Sequence, residues 1–85
     1  MTNKIQKRLT KIINKLDDIA EEVEIKIEEL ERKQEAIINK VDGHYRIMTS
    51  RERARYDDLQ DDIDELEYLR ENVEDALDYI REYKD

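Results

Sequence analysis

Apolar residues recur every three or four positions through the first half of the chain, which places them on one face of a helix. Gln34 fills the single gap in the series, which predicts a helix over residues 3–41. The steps alternate as in a heptad except at Ile19–Val23–Ile27, where two four-residue steps predict a stutter that locally unwinds a supercoil. The series comprises Ile5, Leu9, Ile12, Leu16, Ile19, Val23, Ile27, Leu30, Ile37 and Val41.

The second half repeats this pattern, with Arg70 at one core position, and predicts a helix over residues 50–83. Thr49 followed by Glu52 is the pattern of a capping box at its start. Asp42-Gly43 is the only strong break, and Gly43 suits a left-handed residue just past a helix end. The apolar series comprises Tyr56, Leu59, Ile63, Leu66, Val73, Leu77 and Ile80.

The connector, residues 42–49, is short enough to make the two helices antiparallel neighbours. We therefore expect one all-α domain over residues 1–85, an antiparallel two-helix hairpin of the coiled-coil type; a single unbroken helix is the structural alternative. Facing residue numbers should add up to about 91 in this hairpin, which places Arg70 near Glu21 or Glu22.

A single seam between two helices is a marginal core for a chain of 85 residues. The apolar face widens toward the open end of the hairpin, as bundle helices require. We expect this end to complete a four-helix bundle, either by self-association or with a partner. The predicted association face comprises Leu9, Ile13, Leu16, Ala20, Leu69, Val73, Ala76, Ile80 and Tyr83.

Composition agrees with this architecture, because 47% of the residues are charged, glycine occurs once and proline is absent. A net charge of −8 disfavours nonspecific binding to nucleic acid or anionic lipid. No apolar run approaches the roughly 18–20 residues that span a bilayer, and no secretory signal is visible, so a cytoplasmic location is expected.

The residue types argue against an enzyme. Cysteine is absent and His44 is the only histidine, which excludes finger-type zinc sites and paired-histidine sites. Gly43 is the only glycine, so no glycine-rich phosphate loop exists. We expect no catalytic residues, no cofactor and no metal site.

A strongly acidic mid-section suggests a docking face for a basic partner protein, which is our leading functional hypothesis. A narrower alternative is an inhibitor that mimics nucleic acid and blocks a nucleic-acid-binding protein. The chain is similar in size, charge and helicity to phage-type inhibitors of the anti-restriction and anti-CRISPR kind. The predicted acidic face comprises Asp57, Asp58, Asp61, Asp62, Asp64 and Glu65 with Glu28 and Glu31.

The connector end is basic, which suggests a third hypothesis, a dimeric bundle that binds RNA through its tip. The residues concerned are Arg46, Arg51, Arg53 and Arg55. Arg51, Arg53 and Arg55 occupy alternate positions, so they fan around a helix instead of forming one row.

Overall fold

The chain forms two long helices joined by a short connector: α1 spans Asn3–Lys40 and α2 spans Ser50–Arg81. A computed structural model describes residues 3–41 and 44–83, and a one-turn 3-10 helix, Tyr45–Ile47, lies between the two helices. The helices pack antiparallel into a hairpin of 62 × 16 × 14 Å. The predicted all-helical hairpin is confirmed, whereas the predicted break at Asp42-Gly43 lies outside the described residues.

Local sequence defines the start of α2, as predicted. The Glu52 backbone N–H donates to the Thr49 hydroxyl at 3.1 Å, and the Thr49 backbone N–H donates to the Glu52 carboxylate at 3.0 Å. These hydrogen bonds from Thr49, assisted by Lys40, lower the pKa of Glu52 below its ordinary value. The capping box thus satisfies two backbone donors at the helix end.

The seam between α1 and α2 is an uninterrupted heptad. In the first half its positions follow alternating steps of four and three from Leu9 to Val41, the residue just after α1. In α2 they follow the same steps from Glu52 to Ile80. Ile27 and Ile63, with exposures of 2% and 3%, are its most buried apolar side chains. Two apolar clusters result, one around Ile27 and Ile63 and one around Ile13 and Leu77, with Arg70 at the seam position between them.

The predicted stutter is wrong. Ile13 is 6% exposed while Ile12 is 44% exposed, and Ala20 is half-buried while Ile19 is 41% exposed. Continuing the three-four alternation from Val23 toward the N-terminus reaches Ala20 and Ile13, which keeps the stripe on the partner helix in a left-handed supercoil. The apolar period alone could not choose between these adjacent residues, because both members of the Ile12/Ile13 pair are isoleucine.

The register also differs slightly from the prediction. The Arg70 guanidinium donates to the Glu24 carboxylate at 2.6 Å instead of meeting Glu21 or Glu22, so their numbers add up to 94 instead of about 91. Gln34 is buried as predicted, and its amide donates to the Tyr56 carbonyl at 3.3 Å and to the Gln60 side chain at 3.0 Å.

Candidate interaction surfaces

The two sides of the seam differ in chemistry. Three shallow grooves lie on one side, and each is lined by a residue of α1 together with one of α2: Lys26 with Leu69, Lys33 with Asp62, and Lys40 with Arg55. In each pair the residue numbers add up to 95. We call this side of the seam the groove side. Along each helix these residues are seven apart, and each directly precedes a residue of the seam.

Toward the open end, the groove side becomes an apolar stripe. The same register places Ile19 opposite Ala76 and Ile12 opposite Tyr83. The isoleucines, Leu69 and Tyr83 of the stripe are each 41–48% exposed, although they are large and apolar. We define the apolar stripe as Ile5, Ile12, Ile19, Leu69, Ala76 and Tyr83.

Tyr79 extends the stripe at its edge, with 63% of its surface exposed. Its ring lies 5.6 Å from the Tyr83 ring, centroid to centroid, with a tilt of 59°. A hydrogen bond with Tyr79 raises the pKa of the Tyr83 hydroxyl. The two tyrosines therefore form a paired aromatic edge, the kind of side chain enriched in protein interfaces.

The predicted association face is divided by the fold. Leu69, Ala76 and Tyr83 lie on the apolar stripe, whereas Ile13 and Val73 are buried between α1 and α2. The remaining predicted residues are half-buried; Leu16, Ala20 and Ile80 pack against the Ile13 cluster, and Leu9 lies at a seam position. Sequence reasoning thus missed the α1 half of the stripe, although the seven-residue spacing of Ile5, Ile12 and Ile19 was a signal for it.

The opposite side of the seam is polar, and ion pairs join the two helices there. We call it the ion-pair side. Arg81 donates to Asp17 at 3.1 Å, and Arg70 donates to Glu24 at 2.6 Å. The hydrogen bond and charge of Glu24 raise the pKa of Arg70 further above its ordinary value. No apolar stripe of this kind flanks the seam here, because heptad spacing brings charged residues to these positions: Asp17, Glu24 and Glu31 of α1, and Glu67, Glu74 and Arg81 of α2.

The predicted acidic face does not form a single surface. Asp58, Asp62 and Glu65 lie on the groove side, where they line grooves together with Lys26 or Lys33. Asp61 lies on the outer face of α2, away from the seam. The heptad places the other predicted acids on the ion-pair side, namely Asp57, Asp64, Glu28 and Glu31.

The acids of the ion-pair side, contributed by both helices, form a surface that differs from the predicted acidic face. We call this surface the acidic face. Asp64, Glu67, Glu71 and Glu74 line a shallow surface depression around Arg70. The α1 row lies at alternating steps of three and four residues, at Glu21, Glu24, Glu28, Glu31 and Glu35. Arg70, already paired with Glu24, is the base among the residues that line this depression.

The predicted basic tip is also divided. Arg51 and Arg55 line the grooves with Lys33 and Lys40, which sequence reasoning did not group with them. Heptad spacing places Arg53 on the ion-pair side instead, as its alternate position predicted. Arg46 lies exposed in the 3-10 helix.

Among residues 3–41 and 44–83, no group of three or more histidine, cysteine or acidic side chains is arranged to hold a metal ion. Neither helix, over its described length, has an apolar stretch that could cross a bilayer. The chain matches no protein-family model, no curated protein and no solved structure.

Proposed function

We propose that this hairpin is a non-enzymatic protein-interaction module with two working surfaces. The apolar stripe packs against further helices and completes a four-helix bundle, with a second copy or with a helical partner. The ion-pair side remains outside that bundle and docks a basic partner protein through its acidic face.

The difference between the two sides of the seam supports the bundle. If solubility alone had shaped the hairpin, we would expect both edges to be charged, as the ion-pair side is. The groove side instead carries isoleucine at three successive heptad repeats, Ile5, Ile12 and Ile19. Burying the exposed part of each large stripe residue would contribute about 1 kcal/mol, so the stripe as a whole favours association.

The distribution of acids supports the basic partner. Carboxylates at i and i+3 or i+4 repel one another within a helix, so a continuous row such as Glu21, Glu28 and Glu35 with its neighbours weakens α1 by a few tenths of a kcal/mol per pair. A basic partner would relieve that repulsion and would be steered to the surface by the same field. Exposed carboxylates of this kind provide no sequestered site for catalysis.

The assembly is tested by light scattering with the intact chain of 10.4 kDa. Ile12→Glu with Ile19→Glu should convert an assembled species to monomer, because it places two charges on the stripe. The matched control, Ile25→Glu with Asn39→Glu, adds the same charge on the outer surface of α1 and should leave the assembly unchanged. A wild-type chain that is still monomeric at about 100 μM would refute the proposed four-helix bundle between copies, since assembly depends on concentration.

The acidic face is tested with a defined probe, a lysine-rich helical peptide, in titrations at low and high salt. Glu31→Lys with Glu67→Lys reverses facing acids on the ion-pair side and should weaken binding at least tenfold more than the control, Asp61→Lys with Asp75→Lys, on the outer face of α2. Binding should weaken as ionic strength rises, since exposed charges are screened. An equal loss of peptide binding for both variants would show that binding depends on net charge alone.

The nucleic-acid-mimic hypothesis is a narrower form of this proposal. The α1 acid row from Glu21 to Glu35 advances roughly 5 Å per carboxylate, on a rise of 1.5 Å per residue. Along one strand of duplex DNA the phosphates advance about 3.4 Å each, so the acid row is a regular line of negative charge at about two-thirds of that density. If the partner binds nucleic acid, duplex DNA should compete with the hairpin at constant ionic strength; simultaneous binding of both would exclude mimicry.

A further inference from the structure

We propose that the occupant of the apolar stripe is a second copy of this chain, lying side by side with the first so that both connector tips point the same way. This inference rests on the proposed assembly through the stripe and specifies its partner and orientation. In this arrangement α1 of each copy faces α2 of the other.

Two symmetric arrangements would cover the stripe, because a twofold axis can run along the hairpin or across it. An axis along the hairpin keeps every residue at its own level and pairs α1 with α2 of the second copy. An axis across the hairpin pairs α1 with α1, overlaps the open ends and directs the two tips away from each other. The residues beyond the stripe, toward the tip, decide between them.

On the groove side next to the stripe, around Lys33 and Asp62, α1 and α2 carry opposite charge, whereas nearer the tip both helices carry bases. Glu29 lies between Lys26 and Lys33, at 3.5 and 3.6 Å, which leaves this cluster with a net positive charge. At neighbouring levels on α2, the groove side carries acids that form no ion pair with any residue in 3–41 or 44–83: Asp58, Asp62 and Glu65.

The side-by-side arrangement brings these two charged rows together. Residues whose numbers add up to 95 share a level, so Lys33 of one copy meets Asp62 of the other, twice per dimer. Each helix also gains an antiparallel neighbour, as in a four-helix bundle. A like-charged contact between Lys40 and Arg55, also made twice per dimer, opposes it, but each Lys40 already has a partner in Glu52 at 3.5 Å.

We call the arrangement with the axis across the hairpin the crossed arrangement. It does not bring these two charged rows together. Overlapping only the stripe places the level of Lys33 and Asp62 beyond the end of the second copy. The groove side from Lys33 to the tip then stays in solvent. Charge complementarity, which orients helices in bundles and coiled coils, therefore favours the side-by-side dimer.

A mixing experiment tests the contact. Lys33→Glu alone and Asp62→Lys alone each create two like-charged contacts in a side-by-side homodimer, so each should dimerise about tenfold more weakly than wild type. An equimolar mixture of the two variants restores both attractive contacts between copies, while each hairpin keeps its own like-charged pair. Light scattering should therefore show dimer in the mixture at concentrations where neither variant dimerises alone.

The control mixture, Lys11→Glu with Asp61→Lys, changes charges on the outer faces of the helices and should show no preference for the mixed dimer. Circular dichroism checks that every variant is helical. A dimeric wild type whose Lys33→Glu and Asp62→Lys variants gain nothing on mixing would overturn the orientation and leave the assembly standing. A monomeric wild type would overturn both.

A distance measurement tests the orientation independently of any charge change. The chain has no cysteine, so Ser50→Cys, at the exposed start of α2, introduces one labelling site per copy. Spin labels in a side-by-side dimer should lie about 20–30 Å apart, because neighbouring helices pack 8–10 Å apart. A separation greater than the 62 Å length of the hairpin would identify the crossed dimer and refute the proposal.

Discussion

Ile12 and Ile13 provide a sharp test of this structure, because two adjacent and identical residues are expected to differ in their contribution to stability. Ile13 is 6% exposed in the seam, whereas Ile12 is 44% exposed on the stripe. Replacing a buried isoleucine by alanine removes about 2.4 kcal/mol of transfer free energy and leaves a cavity, so Ile13→Ala should cost about 3 kcal/mol. Ile12→Ala should cost about 1 kcal/mol within one hairpin, since half of its surface is already in water.

Thermal unfolding followed by circular dichroism at 222 nm measures both variants. For a domain of this size, the Ile13→Ala midpoint should fall by about 15 °C and the Ile12→Ala midpoint by about 5 °C. The scans should be repeated over a hundredfold range of protein concentration. Because Ile12 contributes to the stripe, part of its effect should grow with concentration, as expected for linked assembly.

Equal losses for the two variants, or a larger loss for Ile12→Ala at low concentration, would refute the heptad frame. In that case the seam would follow Ile12 and Ile19, with the stutter that the apolar period predicts. The assignment of the apolar stripe, and both proposals that depend on it, would then fail together.

Four further outcomes follow from single contacts. Gln34→Leu should raise the free energy of unfolding by about 1 kcal/mol in urea titrations, because an apolar side chain replaces a buried amide in the seam. Thr49→Ala should lower it by about 0.5–2 kcal/mol through loss of the helix cap, and an unchanged urea midpoint would contradict the capping box. The lowered pKa of Glu52 stabilises the fold above its ordinary value of 4.5, so the difference in stability between wild type and Glu52→Gln should shrink as the pH falls below 4.5. Arg81→Ala should cost less than about 1 kcal/mol in the same titrations, since its pair with Asp17 is exposed.

The hairpin can be regarded as one seam with two unlike edges. The seam holds α1 and α2 together and uses the alternating three- and four-residue steps. The large apolar residues that flank the seam on the groove side lie along its open half, whereas the ion-pair side has mainly charged residues at its flanking positions. The proposed assembly through the groove side would leave the ion-pair side free for the proposed basic partner.

The helices, their antiparallel pairing and the start of α2 could be predicted from the amino-acid sequence. These features depend on local signals: a repeated apolar period, one capping box around Thr49 and Glu52, and a connector too short to allow another arrangement. Gln34 as a buried polar residue also followed from the period, because it occupies a core position in an otherwise apolar series.

The packing of α1 against α2 was needed to show which residues face the partner helix and which lie beside it. Apolar residues at steps of three or four can occupy a helix face that is wider than the seam of a two-stranded coiled coil. Ile12 and Ile13 both lie within such a face, so they satisfy the sequence pattern equally well. Packing against Val73 and Leu77 selects Ile13, and this choice rotates the whole frame of the open half. The predicted seam positions of α2 are unchanged, so the acids from Asp57 to Glu67 are divided between the two sides by their positions around α2 and not by this rotation. Only packing against α1 shows that grooves lie on one of these sides and ion pairs on the other.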